Sequence, residues 1–503
     1  MTNKELASAC IFPRLDLENY TNDKKYSQSI HELIESGVGG FCVFGKLSLK
    51  EIQSILSSLQ NLSKNFLLFA ADLEHGLPMR FLEGTAFPHA MALGKTKDIN
   101  KTFIASQLIA KEAKSIGIHW NFAPVADINS NPNNPIINIR SFGEDEELVS
   151  NHIAAYIKGH IEENILNCAK HFPGHGDTEI DSHLSLPIVV KTKRELIDFE
   201  FKPFKKAINN GVSSIMMGHL IVPSLDSKNT PASLSKPIID ILRNELRFKG
   251  LILSDALDMK AIADNYHSGD ACELSLKAGN NIALMPKDPL DAIEYIEEII
   301  SKDEKFKKII LENIKKINSF KFKVSKNLSD LSIIDKFIQH EKIALSIAQS
   351  ALELNVNKMI IPIMENIQVA TFAILQNEND FGQASMFYNL LSQAIENNMD
   401  FGFIDENLKE DDLLGLMDGT KDAELFIFVF FYKSRAWQSE IGVSDKIRPI
   451  IHRLASGKNI INIFVGNPYI SQIFEADITI KTYSDSLASL ASAVLSLSGR
   501  KLD

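Results

Sequence analysis

Seven short apolar segments recur between Gly37 and Asp288, and each closes on polar or glycine-rich residues. They are GVGGFCVFG from Gly37, NFLLFAADLEHG from Asn65, IGIHWNFAPVADIN from Ile116, ILNCAKHFPGHG from Ile165, VSSIMMGHL from Val212, GLILSDALDM from Gly250 and NNIALMPKD from Asn280. Amphipathic stretches such as LIDFEFKPFKKAINNG and PIIDILRNELRFKG lie between them. Repeated strand–helix alternation predicts a parallel sheet. Seven or eight such units in roughly 300 residues fit a TIM-type (β/α)8 barrel better than an open sheet. In such a barrel the reactive face lies at the carboxyl ends of the strands. The strand ends here carry Asp72, Asp127, Lys170 with His171, His219 and Asp255.

The chain has 503 residues, too many for one ordinary core, so a second domain is expected. Beyond Met285 the character changes. SKDEKFKKIILENIKKINSFKFK reads as a lysine-rich amphipathic helix with a solvated face, and the polar stretch from Ser325 to Asp335 reads as a boundary. We therefore expect a catalytic barrel over 1–325 and a smaller α/β sandwich domain with a linker helix over 326–503. Its strand-like runs are KMIIPIM from Lys358, ELFIFVFF from Glu424, NIINIFVGNP from Asn459 and ADITIKTY from Ala476.

Apolar residues make up 45% of the chain and charged ones 23%, the balance of a soluble globular protein. A net charge of −11 argues against a general nucleic-acid binder. The apolar run from Leu425 is far too short to span a bilayer, and the N-terminal residues lack the apolar core of a secretory signal. The sequence LASAC faintly matches a lipoprotein cleavage site, but without an apolar segment before it we read it as chance. The expectation is a soluble, cytoplasmic protein with no membrane partner. Cys10, Cys42, Cys168 and Cys272 form no CxxC pair and read as reduced, mostly buried thiols.

The densest chemistry is KHFPGHGDTEIDSHLSLP, Lys170 to Pro187. Its histidines could be metal ligands, but Pro173 and Gly174 break the helix that an i, i+4 histidine pair needs. GHG matches neither of the common phosphate-binding loops. An acid–base reading explains more residues. Asp181 lies two positions from His183, and an aspartate beside an imidazole orients it and stabilises its charged form. Gly174 and Gly176 would let the loop turn sharply and approach a ligand. His175 sits in the turn as a structural residue. Asp255, directly after a buried strand, supplies the opposing carboxylate. Glycosidic cleavage needs this combination: one group attacks the anomeric carbon, and the other protonates the leaving oxygen. The usual donor is a second carboxylic acid, so a histidine is a departure. Asp258 competes with Asp255 for the nucleophile's place. Trp120 and Met285 read as core, Asn121 and Asp127 as loop pins or substrate contacts, and His219 as pocket floor or loop support.

These residues bring a resemblance into view. KHFPGHGDTEIDSHLSLP with LILSDALDM resembles glycoside hydrolase family 3, in its β-N-acetylglucosaminidase branch. NFAPVADINSNPNNPIINIRSFGED and MMGHLIVPSLDSKNTPASLS agree with it, and ADLEHGLPMRF resembles the branch's sugar-binding turn. The likeness covers about the first 300 residues, and a looser one extends over the second domain. It implies that Asp255 is the nucleophile, His183 the general acid and base, and Asp181 its partner. It further implies that Asp72, Arg80, Arg140, Lys170 and His171 hold the sugar. In this branch the acid–base histidine belongs to the barrel, so the second domain would not be needed for chemistry. Leu73 and His75 replace the usual glutamine and glycine of the turn, which opens the aglycone preference. SDAL stands where many relatives have a second acid. The expected enzyme is a retaining exo-β-N-acetylglucosaminidase without metal or cofactor, acting on a small carbohydrate or muropeptide from cell-wall recycling. A phosphorylase on the same scaffold and a non-catalytic amino-sugar-binding protein are the alternatives.

Overall fold

The structure is a computed structural model and describes residues 1–178, 186–327, 331–359, 361–363, 367–395, 399–433 and 442–499. Its first sheet runs in chain order through β1 (Ile11–Phe12), β2 (Arg14–Asp16), β3 (Gly40–Phe44), β4 (Leu68–Ala71), β5 (Trp120–Asn121), β6 (Leu166–Phe172), β7 (Ser214–Met217), β8 (Leu251–Ser254) and β9 (Ala283–Leu284). Strands β2 to β8 pair in order, all parallel. The ring is completed through β9. Ser254 N–H donates to the Ile282 carbonyl at 3.2 Å, and Ala283 and Met285 donate to Cys10 and Phe12 at 2.9 and 2.8 Å. Pro13 has no N–H to give and separates β1, which pairs with β9, from β2, which pairs with β3. Apart from β2 and the last residue of β3, the strands are buried on both sides, as a sheet wrapped by crossover helices requires.

The helices follow from capping and spacing. Leu49–Leu62 begins at a capping box of Ser48 and Glu51 and buries Leu49, Ile52, Leu56 and Leu59, one face at helical spacing. All seven sequence-predicted barrel segments contain a strand. The first strand of the ring, CIFPRLD, was not among them. LASA lies in the helix Asn3–Ala9, capped by Thr2 and Glu5, and the Cys10 that follows is buried. All four cysteines are buried and free. Trp120 is in the core, and Met285, though buried, also faces the cavity described below. No described helix is long and apolar enough to cross a membrane.

The second sheet comprises β10 (Glu353–Val356), β11 (Val369–Leu375), β12 (Met399–Ile404), β13 (Leu425–Tyr432), β14 (Asn459–Gly466) and β15 (Ile478–Lys481). Its spatial order is β10-β15-β14-β13-β11-β12, parallel except for β10. Strand β13, the most apolar run of the chain, is buried along its whole length. Ile427, Val429 and Phe431 face the helices Phe381–Ala394 and Leu487–Ser498, while Phe426, Phe428 and Phe430 face Glu410–Gly419 and Ile447–Ala455. This is the expected sandwich. One predicted strand fails: the described residues of KMIIPIM are turn and coil. Pro362 cannot donate to a ladder, and the strand forms at VATFAIL instead.

The two sheets meet across the carboxyl face of the barrel. Tyr469 donates to Glu144 at 2.6 Å and accepts from Asn129 at 2.9 Å. His340 on the linking helix Phe337–Ala351 pairs with Glu112 at 2.7 Å. His89 N–H donates to Ser484 at 3.1 Å.

Candidate active site

A cavity of about 550 Å³ opens at the carboxyl ends of the barrel strands. It is built from strand-end residues, because a β-strand lays its last side chains at fixed positions and lets the following loop fold back. Asp255 follows β8 directly. Its N–H donates to the Met217 carbonyl on β7 at 2.9 Å, and its Oδ1 accepts from the N–H of the next residue, Ala256, at 2.8 Å, so a contact to the neighbouring strand and a local one fix its position. Asp258 also lines the cavity, one turn on.

Opposite lies a chain of alternating charges. Arg80 donates to Asp72 at 3.0 Å, and Lys170 Nζ reaches Asp72 at 2.7 Å and Glu74 at 2.8 Å. Arg140 grips Glu74 with two bonds, Nε to Oε2 at 3.0 Å and Nη2 to Oε1 at 2.8 Å. Such buried charges are tolerable only when paired and hydrogen-bonded. Burial alone would raise Asp72, but Lys170 and Arg80 outweigh it and hold the carboxyl down at about 2. Glu74 is likewise held well below the ordinary range: burial would raise it, and Arg140 and Lys170 prevail. Burial would lower Lys170, but Asp72 and Glu74 raise it. Five ionised groups are thus locked side by side, presenting donors and acceptors to whatever enters.

The loop after β6 is pinned from below by Asp127. This carboxylate, fully buried, accepts from the N–H of His171 and of His175 and from His171 Nδ1, the last at 2.7 Å. Asp127 does not line the cavity and so acts as a loop pin. Asn121 does the same for the turn after β4, holding the N–H and carbonyl of Leu73. His219 supports the other wall, bonded to Ser233 and to the Ala256 carbonyl beside Asp255. His175 bonds Thr178 at 2.7 Å and is lowered to about 4 by burial and by its neighbour His171. The sharp turn expected of the glycines is present at Gly174, and both glycines lie close against the protein itself. A Cβ on Gly176 would meet the Ile128 carbonyl at 1.6 Å, and Gly174, at φ +125°, lies against Glu200.

Asp72, Arg80, Arg140, Lys170, His171 and Asp255 all line this one cavity. Asp181 and His183 lie outside the described residues. Among the described residues no group of three or more His, Cys, Asp or Glu is arranged to hold a metal.

The family model for the glycosyl hydrolase family 3 N-terminal domain matches residues 12–320. The chain belongs to glycosyl hydrolase family 3. The chain is 32% identical over 369 residues to beta-hexosaminidase A of Pseudoalteromonas piscicida, covering 66% of this chain and 62% of that protein. A beta-hexosaminidase of Nitrosomonas eutropha is 34% identical over 272 residues, 52% of this chain and 77% of its own. The family 3 beta-N-acetylglucosaminidase structure from Paenibacillus sp. superposes with a TM-score of 0.84 at 23% identity, over 99% of this chain and 97% of that one.

Four charged or titratable residues of this family 3 cavity escaped the sequence reading. Glu74 was in register with the turn, yet its role shows only through Arg140 and Lys170. Arg14 lies on a strand that was not recognised. His89 and Lys433 come together with the cavity only in the folded chain, and no local pattern marks either one.

Proposed function

We propose that the protein is a retaining exo-β-N-acetylglucosaminidase. The observation that carries this is Asp255 at the end of β8, facing the same cavity as the Arg80–Asp72–Lys170–Glu74–Arg140 chain. A glycoside with its terminal sugar among those charges would bring its anomeric carbon to Asp255. The Asp255 carboxylate attacks that carbon while the imidazolium of His183, oriented by Asp181, gives its proton to the leaving oxygen. A covalent glycosyl-enzyme results. The now neutral His183 takes a proton from water as the water attacks the same carbon, and Asp255 leaves as carboxylate. Lys170, Arg140, Arg80, His171 and Asp72 would hold hydroxyls and the N-acetyl group. The beta-hexosaminidase relatives support the substrate class. A muropeptide released in cytoplasmic cell-wall recycling is the natural substrate we favour.

Turnover of an aryl N-acetylglucosaminide by wild type, by Asp255→Ala and by His183→Ala tests the reading. Each variant should lose most of the rate, and full activity in either removes the role assigned to that residue. Azide rescue of Asp255→Gly with inverted product would identify the covalent route. Including phosphate distinguishes hydrolysis from phosphorolysis by the product formed.

A further inference from the structure

The second sheet is doubly wound, and it changes direction between β11 and β13. In open parallel sheets of this kind, the crevice at such a switch point, outside the carboxyl ends of the strands, is where ligands bind. Lys433 stands there. It follows the last residue of β13, and its N–H is held by the side chain of Gln376, which follows β11, at 3.1 Å. Its ammonium pairs with Asp485, which Gln383 also holds at 2.7 Å. Lys433 also lines the barrel cavity that contains Asp255. The binding places of the two folds are therefore one space.

The barrel meets this cluster with two stacked imidazoles. His75 and His89 lie with ring centroids 4.1 Å apart, and His89 Nδ1 bonds Ser484 Oγ at 2.9 Å. Both rings line the cavity. Burial lowers both, His75 to about 3, and His89 against the pull of Asp485. His75 Nδ1 is buried with no hydrogen-bond partner among the described residues. A buried polar atom of that kind calls for one. An ammonium has three donors, and among the described residues the contact to Asp485 engages one of them.

We infer that Lys433 and His75, from opposite domains, form a subsite that binds the leaving group, and that it takes an oxygen-rich sugar in preference to an aryl aglycone. The inference rests on the glycosidase reading, since it names the part of the substrate beyond the scissile bond. It makes the second domain part of substrate recognition, although the acid–base chemistry belongs to the barrel.

The experiment compares kcat/KM for N,N′-diacetylchitobiose, for an N-acetylglucosaminyl muropeptide and for an aryl N-acetylglucosaminide. Replacing a charged hydrogen-bond donor typically costs about tenfold or more in the affected complex. Lys433→Met should lower the chitobiose-to-aryl ratio about tenfold, mainly through KM, and Lys433→Arg should restore most of it. A larger loss with the muropeptide than with chitobiose would assign the contact to a carboxylate, and equal losses to hydroxyls. The double variant Lys433→Met/Asp485→Asn leaves neither charge unpaired and carries the same expectation if the single variant does not fold. An unchanged ratio in a folded variant overturns the subsite. Failure of wild type to cleave any of the glycosides overturns the glycosidase reading instead.

Discussion

The two parallel sheets use their carboxyl ends in opposite ways. The barrel's strand ends open on a cavity and fill it with ionised side chains in a continuous chain from Arg80 to Arg140. The second sheet ends its central strand β13 in buried aromatic side chains, Phe430, Phe431 and Tyr432, and offers that cavity Lys433, already paired with Asp485. Desolvated charge is costly. One region concentrates that cost where a polar ligand must be gripped, and the other spends its strand ends on packing. The barrel should therefore lose most when a charge is removed, and the second sheet should respond chiefly in selectivity.

The sharpest break is Asp255→Ala. Removing the proposed nucleophile costs the rate several orders of magnitude, so turnover of an aryl glycoside should fall by at least about a thousandfold, while the fold should persist because the variant keeps the backbone bond from residue 255 to Met217. Steady-state rates beside a thermal unfolding curve check both halves. Next comes Lys170→Met. Lys170 is the cation shared by Asp72 and Glu74, and its side chain is 3% exposed. Breaking a buried pair from one side costs about 3–5 kcal/mol, so denaturant unfolding should show a loss of that size along with loss of activity. A loss under about 1 kcal/mol would mean that the charge chain is not strongly desolvated and would erase the contrast with Lys433. Asp127→Asn is gentler. It keeps the shape but weakens the carboxylate's grip on His171 and His175, which should cost about 1–3 kcal/mol and depress kcat more than KM.

The barrel was legible because its signal is periodic: a buried strand followed by an amphipathic helix repeats enough times to leave one architecture. The strand ends were legible for the same reason, so Asp72, Lys170, His171 and Asp255 were named by position alone. Two kinds of feature were not. The first ring strand is split by Pro13 and reads as neither a run nor an alternation. Strand β11 was displaced by KMIIPIM, whose composition is as apolar but whose proline cannot join a ladder. The partners of the site residues were also hidden. Glu74 is legible as a candidate only when Arg140 is placed beside it, 66 positions along the chain. His89 and Ser484 meet across 395. Long-range pairings of buried charge leave no local pattern in one sequence.

The last predicted effect separates the regions by pH. Glu200 lies beneath the loop after β6, against Gly174, and pairs with Lys191, which also reaches Asp177. Burial raises its carboxyl to about 7, against the pull of Lys191 and with the help of Asp127 and Asp177. A carboxyl raised on folding contributes stability below its unfolded value near 4.5 and loses it as pH rises towards about 7. Asp485 is the reverse. Burial would raise it, but Lys433 and His89 hold it below the ordinary range, so its contribution is present throughout the pH 5–8 window and is lost only in acid. Unfolding free energies of wild type and Glu200→Gln measured across pH 5–8 should therefore diverge in slope. Wild type should lose on the order of 1–3 kcal/mol relative to the variant between about pH 4.5 and 7, whereas Asp485→Asn should be offset from wild type by a constant. Parallel curves for wild type and Glu200→Gln would show that Glu200 is ionised throughout, and that the base of the barrel loop is as insensitive to pH as the contact with the second sheet.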